Sequence, residues 1–116
     1  MNRLTFVREL RLLTPTDFNH VFNQSTRVSS PYITLVIRKN TLSYPRLGFA
    51  IAKKQVKYAH ERNRLKRVIR DYFRLTQHEL PKIDIIVMAR STAVELDNAA
   101  LRQVLDKLWQ RLLSIQ

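Results

Sequence analysis

RLGFAIAKKQVKYAHERNRLKRVIRDYFR, residues 46–74, changes its period midway, and that change sets the fold. Over residues 46–54, Leu47, Phe49 and Ile51 alternate with Gly48, Ala50 and Ala52, the period of a strand with one heavy face and one nearly bare face. From about His60 the period becomes helical. At about 100° per residue, Leu65, Val68, Ile69, Tyr72 and Phe73 share one arc, and Arg62, Asn63, Lys66, Arg67, Arg70 and Arg74 share the opposite one. Arg64 and Asp71 fall nearer the boundary. A strand therefore feeds an amphipathic helix whose outer face is cationic.

Charge is concentrated in the same place. Residues 53–74 carry nine Lys/Arg against Glu61 and Asp71, so +7 of the chain's net +12 comes from 22 of its 116 residues. A solvated helix face ordinarily mixes signs at i,i+4, whereas Arg62, Lys66 and Arg70 repel one another at that spacing. The pattern points to a polyanion partner.

Working outward, Thr14 and Pro15 open a helix with Asp17 at the capping-box position and Leu13 and Phe18 as a hydrophobic staple. Phe18, Val21 and Phe22 share one of its faces. The two phenylalanines suit core packing or a platform for unstacked bases, and the residues leave both open. Residues 31–40 form a strand with Ile33, Leu35 and Ile37 on one side and Tyr32, Thr34, Val36 and Arg38 on the other. A turn over 41–45 leads into the 46–54 strand, expected antiparallel to it. Pro81 ends the helical period. Residues 83–90, IDIIVMAR, read as a central strand. Residues 91–96 read as a loop. Asp97 caps a last helix striped by Leu101, Val104, Leu105, Leu108, Trp109 and Leu112.

The 45% apolar content suits one globular domain over residues 1–116 with a modest core. No cysteine is present, so disulfide scaffolds and thiolate metal sites are excluded. No signal-like apolar segment or membrane span is visible, which leads to the expectation of a cytoplasmic protein that does not engage membrane. With Gly48 as the one glycine, GxGxxG and P-loop phosphate cradles are excluded. His60-Glu61 and His78-Glu79 lack HExxH spacing, because Arg64 and Lys82 occupy the fourth positions on. No catalytic constellation and no protein metal site are expected.

The phrase Arg62-Asn63-Arg64-Leu65-Lys66-Arg67, preceded by Leu47-Gly48-Phe49-Ala50-Ile51-Ala52-Lys53-Lys54, resembles the signature of the bacterial ribonuclease P protein subunit. The likeness covers essentially the whole chain: Arg8-Glu9-Leu10-Arg11 before a Thr-Pro-capped helix with Phe18 and Phe22, the strand at 84–89, and the Leu/Trp-rich closing helix. It implies an α/β sandwich of a mixed four-stranded sheet and three helices, akin to a ribosomal protein domain, with a left-handed β-α-β crossover that local patterning would not suggest. The family assists a catalytic RNA in magnesium-dependent removal of the 5′ leader from precursor tRNA.

Carried over by position, Arg62, Asn63, Arg64, Lys66, Arg67 and Arg70 would contact the RNA subunit. Phe18, Phe22, Lys53, Lys54 and Arg11 would line a cleft for the leader. The chain departs from the family at Ala50 and Ala52, where hydroxyl side chains are frequent. The resemblance also implies a 1:1 complex of a monomeric protein with ribonuclease P RNA, magnesium held by the RNA and no cofactor on the protein. A structural RNA-binding protein of ribosomal type would share the basic helix but gives no reason for paired lysines beside aromatics. A DNA-reading helix lacks a preceding helix-turn-helix partner. An autonomous nuclease lacks its carboxylates.

Overall fold

A computed structural model describes residues 19, 21, 25–42 and 44–115. Four strands form one sheet in the order β1-β2-β4-β3: β1 Thr26–Ser29, β2 Ile33–Lys39, β3 Arg46–Phe49 and β4 Ile83–Ala89. The pairs β1/β2 and β2/β4 are antiparallel, and β3/β4 is parallel. Two long helices, α1 Ala59–Thr76 and α2 Asn98–Ser114, cover one face of the sheet. Ile33, Leu35 and Ile37 of β2, Leu47 of β3 and Ile83, Ile85 and Val87 of β4 point into that layer. They meet Leu65, Val68, Ile69 and Phe73 of α1 and Leu101, Leu105, Leu108 and Leu112 of α2. On the opposite face Val36 and Ile86 are closed over by Val21, with Ala50 and Met88 beside them.

The helix expected from Thr14 lies outside the described residues except at Asn19 and Val21, both of which are helical. The faces expected for β3, α1 and the β2 residues from Ile33 on are those found, whereas Tyr32, expected on the face opposite Ile33, packs against the helix-side core. Asp97 does cap α2, its Oδ1 accepting from the Ala100 N–H at 2.7 Å. Residues 91–96 form a 3-10 turn, Ser91–Glu95, rather than an irregular loop, because Ala93 is fully buried beneath it.

The sheet departs from expectation in three ways. β3 runs antiparallel to β2, as expected, but does not pair with it, because β4 lies between them. β4 is buried on both faces and must be central, whereas β3 is short and contains Gly48. Asp84 fixes this order. In register it lies opposite both Arg38 and Arg46. Its carboxylate accepts from Arg46 Nε at 2.9 Å and Nη2 at 2.7 Å, and from Asn40 Nδ2 at 2.9 Å. A buried carboxylate requires such partners, and both are delivered only when β4 runs between β2 and β3.

The second departure is length: β3 ends at Phe49, not near Lys54. Ala50 N–H still bonds to Val87 O, after which the Gln55 and Val56 N–H groups fold back to Ala52 O. Val56, 1% exposed, draws the chain back into the core, so Lys53 and Lys54 sit on a turn. Third, residues 26–29 form an edge strand with no advance signal, since only Val28 in it is buried.

Candidate nucleic-acid interface

The cations of α1 occur in two environments. Arg62 is half-buried, and its Nη1 donates to the carbonyls of Val56 at 2.8 Å and Lys57 at 3.0 Å. It thereby clasps the turn carrying Lys53 and Lys54 to the first turn of the helix. Arg64 points the other way, toward α2. Its Nη1 donates to Asn98 Oδ1 at 3.0 Å, and its Nη2 to Val94 O at 3.2 Å and Glu61 Oε2 at 3.4 Å. Around it runs a shallow groove lined also by Glu95 and Asp97, a carboxylate border that repels phosphate.

Asn63 and Arg67 are exposed and Lys66 half-exposed, with no hydrogen-bond or ion-pair partner among the described residues. Arg70 is exposed, its guanidinium 5.4 Å from the centroid of the Phe49 ring. The ring offers a cation–π contact that aims the charge along the β3 side of the helix. Thus the i,i+4 row Arg62, Lys66, Arg70 is not without local return. Its two ends are steered by protein partners, and its middle is left to solvent.

Lys53 and Lys54 are exposed on the turn beside Arg62. The structure therefore joins the lysine turn and the α1 arc into one cationic strip, bounded by carboxylates on the α2 side. Arg11, Phe18 and Phe22 lie outside the described residues. The small-residue face of the sheet carries Gly48, Ala50, Thr34 and Val36, but Gly48, Thr34 and Val36 are buried and Val21 packs onto Val36, so this part of the face is covered.

Two features escaped the sequence reading. Tyr58 is 58% exposed, stacked on His60 with ring centroids 5.7 Å apart and planes at 23°. Tyr72, on the α2 flank, donates to Asp106 Oδ1 and meets Trp109 edge-on at 4.9 Å. Burial, reinforced by the Asp106 hydrogen bond and by the Asp106 and Glu79 charges, pushes the Tyr72 hydroxyl well above its ordinary pKa. Among the described residues no group of three or more His, Asp or Glu side chains is placed to hold a metal ion. Among the described residues no helix is long and apolar enough to cross a membrane.

Comparison with known proteins gives a consistent picture. A family model described as Ribonuclease P matches residues 6–113. The ribonuclease P protein component of Proteus mirabilis is 58% identical over 111 residues, covering 96% of this chain and 93% of the relative. That of Haemophilus influenzae is 55% identical with the same coverage. Among solved structures, the RNase P protein from Thermotoga maritima superposes with a TM-score of 0.76 at 32% identity, over 91% of this chain and 97% of that one. The Staphylococcus aureus RNase P protein gives 0.82 at 25% identity, over 87% and 93%.

Proposed function

The chain belongs to the ribonuclease P protein family, and from that premise we propose that it binds the catalytic RNA of the enzyme through the α1 arc. Asn63, Lys66, Arg67 and Arg70 grip phosphates there, with Arg62 and Arg64 at its margins. Lys53 and Lys54, together with Arg11, Phe18 and Phe22, hold the single-stranded 5′ leader of precursor tRNA. The observation that supports this most is the continuity of the two sets. Arg62 ties the lysine turn to the helix, so one rigid strip touches both RNAs.

The physical logic is phosphate density. Folded RNA presents closely spaced phosphates that guanidinium forks grip bidentately, and a leader adds a second charged strand. Bridging the two by cations offsets their mutual repulsion and positions the scissile bond. The RNA subunit carries out the endonucleolytic hydrolysis with its own magnesium, and the protein alone does not cleave. The protein is a monomer that joins the RNA 1:1 in the cytoplasm. The family reading also carries the third helix from Thr14 and the left-handed sense of the β3-α1-β4 crossover.

The test is precursor-tRNA cleavage at low magnesium by the cognate RNA, with and without the protein. A strong gain with correct mature 5′ ends is expected, and its loss in the triple change Arg62, Arg64 and Arg67 to Ala. Absence of any gain from folded protein would turn the reading toward a structural RNA-binding role.

A further inference from the structure

Four large apolar side chains are exposed among the described residues: Tyr58, Leu75, Leu113 and Ile115. Leu75, Leu113 and Ile115 lie at the C-terminal ends of the helices. Tyr58 alone stands amid cations, following Lys53, Lys54 and Lys57 and immediately before α1. Its ring stacks on His60, whose side chain is 76% exposed, and the Lys57 ammonium lies 5.5 Å from the ring centroid. Tyr58 is also the N-cap residue of α1 and makes no side-chain capping bond there. Ser, Thr, Asp or Asn would suit that position better, so helix capping does not account for a tyrosine here.

We propose that the Tyr58–His60 stack is a platform for one unpaired nucleobase of the RNA subunit. Exposed, stacked aromatic rings beside the Lys57 ammonium match the chemistry of an unstacked base and its phosphate. The choice of RNA follows from the helix. His60 falls on the same outward arc as Asn63 and Arg67, at i, i+3 and i+7. The platform thus prolongs the strip assigned to the RNA subunit, and the inference rests on that assignment.

The experiment compares the whole protein with Tyr58→Trp and Tyr58→Leu in binding to its cognate RNA subunit. Ultraviolet crosslinking follows, with precursor tRNA also present. Trp keeps a stacking face, whereas Leu keeps apolar bulk without one, and neither alters charge. Tyr58→Leu should bind about tenfold more weakly with an unchanged salt slope, while Tyr58→Trp stays within about twofold of the parent. The crosslink should join Tyr58 or His60 to an unpaired nucleotide of the RNA subunit. Equal affinity of Tyr58→Leu and the parent overturns the platform, as does equal weakening by Leu and Trp. A crosslink to precursor tRNA overturns the choice of RNA. Failure of the folded parent to bind the RNA subunit at all is a separate result that overturns the functional assignment itself.

Discussion

Arg64 and Arg67 lie one helical turn apart on α1, and they do different work. Arg64 spends its guanidinium on Asn98, Val94 and Glu61, joining α1 to the entry of α2. Arg67 reaches solvent with no partner among the described residues. The first is a strut that also carries charge, and the second is an exposed charge with no protein partner among the described residues. Cations on one helix therefore cannot be counted as equivalent RNA contacts. Loss of function at Arg64 mixes stability with binding, whereas loss at Arg67 reads binding alone.

The tied class has an extreme member, and it gives the largest expected effect. Arg46 is held bidentately by Asp84, which is 1% exposed. Removing the acid in Asp84→Ala takes both charge-assisted bonds from the part-buried Arg46 guanidinium and one of the acceptors of the Asn40 amide, costing about 3–5 kcal/mol. Urea unfolding measures this, and a loss below about 1 kcal/mol would show that the pair does not hold β3 against β4.

Next comes the pair that gave the comparison. Arg64→Ala removes charge-assisted bonds to groups near the surface and should cost about 1–2 kcal/mol of stability. Arg67→Ala should change stability by no more than about 0.5 kcal/mol. In RNA-subunit binding the order is reversed in kind. Arg67→Ala should weaken affinity several-fold and lower the log–log salt slope by about 0.7–0.9, one phosphate contact's share. Matching unfolding curves for the two variants would erase the distinction between strut and ligand cation.

How much of this is legible in sequence follows the same division. The outward arc of α1 is legible because a period of about 3.6 residues places Asn63, Arg67 and Arg70 opposite Leu65, Ile69 and Phe73 whatever surrounds them. The restraint on Arg62 and Arg64 is not, since their acceptors are carbonyls of Val56, Lys57 and Val94 that only the tertiary fold brings near. Strand faces are legible from alternation, but strand neighbours are not. Nothing local in residues 33–49 says that β4 will separate β2 from β3. Asp84, an acid inside an apolar run, is the one clue, and it becomes informative only once Arg38 and Arg46 are considered as its partners. β1 gives a single buried valine and hence no alternation to read.

The smallest expected effect concerns the α2 flank, where the contact beside the strut is an uncharged donor. Tyr72 donates to Asp106, and burial with that bond keeps its hydroxyl protonated to higher pH than in the unfolded chain. A raised folded pKa favours the protonated group. The stabilisation is therefore complete below the unfolded value of about 10 and is lost as pH rises from there through the folded value. Lysines titrate in the same window, so the parent alone cannot isolate the tyrosine. Tyr72→Phe can, because every lysine is common to both proteins. The variant should be the less stable one at neutral pH, with the gap narrowing above pH of about 10, where the unfolded parent chain loses its tyrosine proton while the folded one still keeps it. A constant gap across that range would mean that the Tyr72–Asp106 bond adds nothing to the α1–α2 contact beyond ring packing on Trp109. Arg64 would then carry the polar link from α1 to the entry of α2, and the contrast between the two sides of α1 would rest on it.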